Sequence, residues 1–318
     1  MRRFFRLLLR VVFALILFAV LLFGAGWCFF HPGFTETTGI VYTQRHGHDL
    51  TLDVVRPAHP SGAAVLVMVS GRWKSDPKKF QPWIASSFLR QGLTLVAVSH
   101  LSQPEATIQE IVEDVEHAAR FVRYHAKEYG VDPNRIGVFG GSSGGHLSLM
   151  LATCGGPGDP KAADPVNRES SAVQAATVFD PVTDLLNLGA STENLHDGGP
   201  PKSFRKSFGP KAADLNEWKI IGRDVSPIYH ITKALPPIFI THGGADTLVP
   251  LDQSTAFGKS CRTGPRSRVD DPSRRETWLA HDDWDAHLFA QWIAEHLEVN
   301  PARESLDGFP SLVREDGA

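Results

Sequence analysis

Residues 135–151 read RIGVFGGSSGGHLSLML: two adjacent serines, Ser142 and Ser143, inside four glycines, between a short apolar run and a longer one. Both serines satisfy Gly-x-Ser-x-Gly, one in the register Gly140–Gly144 and the other in the register Gly141–Gly145. A serine alcohol is a poor nucleophile. It needs a base to take its proton, a pair of donors for the oxyanion, and a position where substrate can reach it. A sharp turn from strand to helix meets the last need, and glycines flank the serine there because side chains would collide. The run IGVF reads as the strand and HLSLMLAT as the start of the helix. A glycine-rich phosphate loop is excluded, because no Gly-Lys-Ser/Thr follows and no dinucleotide spacing fits.

Working outward, AAVLVMVS (63–70), LTLVAVSH (93–100), AATVFD (175–180) and PPIFITHG (236–243) are near-continuous apolar runs, as strands buried on both faces require. Between them, FQPWIASSFLRQG has apolar residues at helical spacing up to Gly92. Residues 105–130 form an amphipathic pattern in which Ile108, Ile111, Val115, Ala119 and Val122 share a face, with Gly130 as the C-cap. Strands alternating with helices predict an α/β fold, a mostly parallel sheet with helices on both faces. The alternation in DLTLDVVRP predicts an edge strand at 49–57, after a linker over 31–48. The domain is expected to run from 49 to 300, with a polar tail over 301–318. Residues 185–222, rich in Gly, Pro and polar side chains, interrupt the rhythm and predict a lid-like excursion over a site.

The N-terminus carries Arg2, Arg3, Arg6 and Arg10 ahead of an uninterrupted apolar run from Val11 to Phe30. About 20 apolar residues cross the hydrocarbon core as a helix, and arginines hold their own side cytoplasmic. This predicts a single-pass anchor with the body on the extracytoplasmic side. A cleaved signal peptide, with Gly24 and Gly26 near its cleavage site, is the alternative. The net charge is −3, and the first thirty residues contribute four positive charges and no acid, so the body is more acidic than the whole. That excludes nucleic acid as the main partner. Three cysteines, Cys28, Cys154 and Cys261, are too few and too scattered for a disulfide framework or a zinc site, and unpaired thiols are expected.

The stretch YGVDPNRIGVFGGSSGGHLSLMLAT resembles the α/β-hydrolase esterases of the acetyl-esterase and feruloyl-esterase-like kind, with prolyl oligopeptidases as more distant relatives. Their elbow reads Gly-x-Ser-x-Gly-Gly, often followed by His-Leu, which here is Gly140, Ser142, Gly144, Gly145, His146 and Leu147. The resemblance implies that Ser142 is the nucleophile and that the backbone N–H of Ser143 points into the oxyanion hole. It further implies that Asp246, in His242-Gly-Gly-Ala-Asp-x-x-Val-Pro, orients the catalytic imidazole, with His242 structural. A loop Asp capping the following helix is the other reading of Asp246. The second oxyanion donor is expected after the 63–70 strand. Relatives there often carry His-Gly-Gly-Gly-Trp, while this chain has Val69-Ser70-Gly71-Arg72-Trp73, leaving Gly71 or Arg72 to donate.

The base is expected between the last strand and the last helix, DAHLFAQWIAEHL. Yet 258–277 has almost no strand character, and the assignment is divided between His281, in the expected loop, and His287, within the helix. The motif HDDWDAH lacks a known metal-ligand spacing. The expected activity is hydrolysis of carboxylic esters of small molecules through an acyl-enzyme, with no cofactor and no metal. A serine peptidase or a non-catalytic hydrolase-fold binding protein are the alternatives.

Overall fold

The computed structural model describes residues 2–80, 82, 86–232, 234–261, 267–270 and 281–299. It opens with helix α1 (Arg2–Phe30), in which Phe4–Gly24 is long and apolar enough to cross a membrane. Its 21 residues reach about 31 Å at 1.5 Å each.

Strands β1 (Phe34–Arg45), β2 (His48–Pro57), β3 (Ala64–Met68) and β4 (Thr94–Val98) follow, with helix α2 (Ser86–Arg90) between the last two. Helices α3 (Ile108–Tyr124) and α4 (Ala126–Tyr129) lead to β5 (Ile136–Gly141), α5 (Ser143–Cys154) and β6 (Ala175–Phe179). The chain continues through α6 (Leu215–Asp224), β7 (Ile238–Thr241), α7 (Asp252–Cys261), β8 (Ser267–Asp270) and α8 (His281–His296). One eight-stranded sheet results, in the order β1-β2-β4-β3-β5-β6-β7-β8. β2 runs antiparallel to both neighbours, and every pairing from β4 to β8 is parallel.

Side-chain alternation divides the core. Ala64, Leu66 and Met68 of β3 pack with α3, α5 and the aromatic residues Phe204, Phe208 and Trp218. Ala63, Val65 and Val67 pack with Phe88 of α2 and with Phe289 and Ile293 of α8. A strand buried on both faces has no polar alternate, which is why these runs read as unbroken apolar sequence. α3 starts where its chemistry dictates: the Thr107 side chain accepts from the Glu110 N–H while the Glu110 carboxylate accepts from the Thr107 N–H. Gly130 closes the segment in the left-handed conformation, φ 66°.

Three expectations are corrected. Residues 49–57 are not the edge: β2 lies between β1 and β4, and β1, formed by FTETTGIVYTQR within the expected linker, takes the edge. Its β-branched and aromatic residues suit a strand with much of its length exposed. The segment 258–277 does contribute a strand, β8, which pairs in parallel with β7 from Ile238↔Ser267 to Thr241↔Asp270. A polar four-residue edge strand is held by its backbone ladder, so hydropathy does not reveal it. His281 is the first residue of α8 rather than part of a preceding loop. Cys154 and Cys261 are free thiols, as expected.

Candidate active site

The strand–helix turn separates the two serines. Ser142 sits between β5 and α5 at φ 51°, ψ −119°, a conformation that a residue with a Cβ adopts only under constraint. The constraint is visible: its N–H donates to the Phe179 carbonyl of β6 at 2.9 Å, and its carbonyl accepts from the His146 N–H at 2.9 Å. The turn closes tightly because the flanking residues have no side chains. A Cβ on Gly140 would strike the Gly144 carbonyl, and one on Gly144 would lie 2.7 Å from the Met68 carbonyl. Gly145 packs on Pro181. Ser143, by contrast, is the first helical residue and is buried, its hydroxyl 3.1 Å from that of Ser70. Of the two, Ser142 has the more accessible side chain.

Opposite the elbow, the segment after β3 forms a tight four-residue turn. Gly71 N–H donates to the Lys74 carbonyl at 2.9 Å, and Lys74 N–H returns to Gly71 at 3.0 Å. Its two central residues, Arg72 at φ 56° and Trp73 at φ 53°, are both left-handed, the backbone of a type I′ turn. The Gly71 N–H is therefore occupied, whereas the Arg72 N–H makes no hydrogen bond to the described residues. Trp73 anchors the turn: it is buried, and its Nε1–H donates to His146 Nδ1 at 3.1 Å. His146 Nε2–H donates in turn to the Val225 carbonyl at 2.7 Å. Burial pushes the His146 pKa down to about 4, so the ring stays neutral and keeps one donor and one acceptor. Thus the Trp of the turn and the His after the elbow form one clamp.

Asp246 follows β7. Its carboxylate accepts from the N–H groups of Leu248 at 2.7 Å and Val249 at 2.9 Å. Both bonds use Oδ1, leaving Oδ2 without a bond to the described residues. His242 is buried with both ring nitrogens engaged: Nε2–H donates to the Val249 carbonyl at 2.7 Å, and Ser254 Oγ–H donates to Nδ1 at 2.7 Å.

Asp180, which sequence reasoning passed over as the end of a strand, belongs to this corner. It has φ 45°, its carboxylate accepts from the Gly243 N–H at 2.7 Å, and its N–H donates to Thr241. Burial first, and the charge of Asp246 with it, raises the Asp180 pKa, while the Gly243 bond opposes the rise. Asp180, His242 and Asp246 place ligand-type atoms within 4.8 Å of one another, but the engagement of both His242 nitrogens leaves no free imidazole lone pair for a metal.

A small, largely apolar pocket opens at Ser142. Arg72, Trp73 and Ser143 line one side, Leu248, Val249 and Pro250 another, and Leu185, Leu188, Glu193 and Phe204 of the 185–222 excursion a third. The excursion contains short 3-10 turns and α6. The Gln253 amide oxygen pins its entrance by accepting from the N–H groups of Thr183 and Asp184. Glu193 is buried, its carboxylate accepting from Ser203 N–H and Oγ–H. The Arg72 guanidinium lies 5.0 Å over the Phe204 ring. The loop expected to carry the base, 271–280, lies outside the described residues, as does the His281 side chain; His287 lies within α8 and is exposed.

Residues 52–260 match the sequence profile of the BD-FAE family. The chain belongs to that family. It is 33% identical over 198 residues to the probable carboxylic ester hydrolase LipM of Mycobacterium tuberculosis, covering 61% of this chain and 44% of LipM. To the esterase LipQ of the same organism it is 31% identical over 245 residues, 74% of this chain and 55% of LipQ. The chain thus spans about half the length of these curated relatives. Its fold matches that of a thermophilic esterase of Thermogutta terrifontis, native Est2, with a TM-score of 0.65, 25% identity, and 86% of this chain and 96% of that one covered. The BD-FAE domain here has the α/β-hydrolase fold.

Proposed function

We propose that this BD-FAE protein hydrolyses carboxylic esters through an acyl-enzyme on Ser142. The observation that carries the reading is the left-handed backbone of Ser142 at the strand–helix turn, which presents its hydroxyl to an apolar cavity. In the proposed reaction, the base takes the Ser142 proton as Oγ attacks the ester carbonyl carbon. The oxyanion of the tetrahedral intermediate is held by the backbone N–H groups of Ser143 and Arg72, since that of Gly71 is taken by Lys74. The alcohol leaves with the proton held by the base, and water, activated by the same base, releases the acid and restores Ser142. His281 is the proposed base, with His287 as the alternative, and Asp246 the group that orients it through Oδ2.

The relatives support this chemistry. They include esterases, and esterase 2 of T. terrifontis, 25% identical with a TM-score of 0.62 over 83% of this chain and 94% of that one, is phosphorylated by paraoxon. The apolar cavity suits a small acyl or alcohol group. α1 is proposed to anchor the domain on the extracytoplasmic side of the cell membrane, with its arginines on the cytoplasmic side. Labelling with a fluorophosphonate tests the reading: the wild type should be labelled stoichiometrically and Ser142→Ala not at all. An unlabelled wild type would point to a non-catalytic hydrolase-fold protein.

A further inference from the structure

The proposed oxyanion donors come from separate elements, the start of α5 and the turn after β3, so something must hold their spacing. Donor positions need to be fixed to within about 0.5 Å to work as a pair. A chain of side chains runs between them. Ser143 Oγ lies 3.1 Å from Ser70 Oγ, Ser70 Oγ lies 2.9 Å from His100 Nε2, and His100 Nδ1 lies 2.9 Å from the Leu101 carbonyl. His100, just past the end of β4, is buried.

The proton directions follow from elementary chemistry. A carbonyl only accepts, so His100 carries its proton on Nδ1. Burial lowers its pKa to about 4, so the ring is neutral and Nε2 only accepts. Ser70 must therefore donate to Nε2, and its remaining lone pairs accept the Ser143 O–H. Every proton in the chain points away from the cavity. The Ser143 hydroxyl, next to the nucleophile, is thereby committed to Ser70, the residue just before the Gly71–Lys74 turn, which links the start of α5 to that turn.

We propose that Ser70 and His100 are positioning residues that set the spacing of the Arg72 and Ser143 N–H groups through the Ser143–Ser70–His100 hydrogen-bond chain. The proposal rests on the reading of Ser142 as nucleophile. Neither residue touches substrate; their effect is on the transition state. Loss of one oxyanion donor costs about 10²–10³ in turnover, so a misplaced donor should cost a fraction of that.

The test is kinetics of the full chain on p-nitrophenyl acetate. Ser70→Ala and His100→Leu should each lower kcat about tenfold with KM within twofold. Their double variant should be no worse than the weaker single. His100→Gln, which restores an acceptor near Nε2, should recover most of the loss. Affinity for a trifluoromethyl ketone, which mimics the tetrahedral adduct, should fall in parallel with kcat. Single variants within twofold of wild type in kcat, losses that multiply in the double variant, or a His100→Gln no better than His100→Leu would each overturn the proposal.

Nitrogen-15 NMR of the imidazole reads the chain without turnover: one Nδ1–H tautomer in the wild type and in Ser142→Ala, with the Nε2 resonance moving in Ser70→Ala. A mixture of tautomers in the wild type would overturn it as well. Wild-type turnover in Ser142→Ala, beside the expected tautomer, would sink the nucleophile reading while leaving the hydrogen-bond chain intact.

Discussion

The turn at Ser142 and the loop at Asp246 each present one side chain at the same end of the sheet, but they hold it by opposite means. At Ser142 the means are steric: a strained backbone is trapped between β6 and α5, and the neighbouring residues are glycines because a Cβ would collide with the Gly144 and Met68 carbonyls. At Asp246 the means are polar. Leu248 and Val249 N–H groups fix the carboxylate, Asp180 caps the Gly243 N–H, and His242 braces the loop through Val249 and Ser254. A steric device tolerates no added atom, whereas a polar one tolerates any substitution that keeps its donors and acceptors.

The largest effect should fall on the steric side. Ser142→Ala should reduce ester turnover to the residual ~10³–10⁴-fold that binding and oxyanion contacts provide over water. Ser143→Ala keeps its backbone N–H and should lose no more than about tenfold. Steady-state kinetics of the two variants decides the register: an inactive Ser143→Ala beside an active Ser142→Ala would transfer the nucleophile one residue on.

The base is the next test, since the polar side is incomplete without it. His281→Ala should lose about as much turnover as Ser142→Ala, because members of one catalytic unit are not additive. His287→Ala, exposed on α8, should keep most of its activity. The reverse result would move the base into the helix.

A smaller effect is expected at Asp180, and it sharpens the contrast. Its pKa is raised in the folded protein, by burial first and by the charge of Asp246 with it, with the Gly243 hydrogen bond opposing, so the folded state binds more protons than the unfolded one above the ordinary carboxylate range. Stability from this group is therefore present at low pH and is lost as pH rises through the raised value. Asp180→Asn keeps an acceptor for the Gly243 N–H and cannot ionise. It should be at least as stable as the wild type near neutral pH, with the difference vanishing in acid. Thermal melts of both proteins across pH read this directly, and a variant less stable at pH 7 than at pH 4, relative to wild type, would refute the sign.

How much of this was legible in the sequence follows the same division. The glycines of the elbow exist for a steric reason, and steric reasons leave residue types behind, so Ser142 and its flanks stood out in a single line of text. The apolar strands were legible because burial on both faces leaves no polar alternate. Asp180, Ser70 and His100 were not. Each is a common polar residue at a strand end, and its role is set by partners 63, 73 or 30 residues away. β8 was missed because its stability lies in a backbone ladder, which has no compositional mark, and β1 because a polar, Thr-rich edge reads like a linker.

The smallest effect tests whether the turn facing the elbow belongs to the steric class. Arg72 holds a left-handed backbone, φ 56°, in the turn facing the elbow. A non-glycine residue there costs about 1–2 kcal/mol. Arg72→Gly should relieve that cost but loses the guanidinium over Phe204, worth about 0.5–1 kcal/mol at an exposed site. The two nearly cancel, so the melting temperature should hold or rise by a few degrees. Turnover should stay within about threefold of wild type, because the proposed donor is a backbone N–H that glycine retains. Arg72→Val keeps the same N–H but puts a β-branched side chain at positive φ, so it should melt lower than both. If Arg72→Gly instead loses turnover a hundredfold while folding normally, the guanidinium itself takes part in the site, and the second oxyanion donor must be sought elsewhere in the turn.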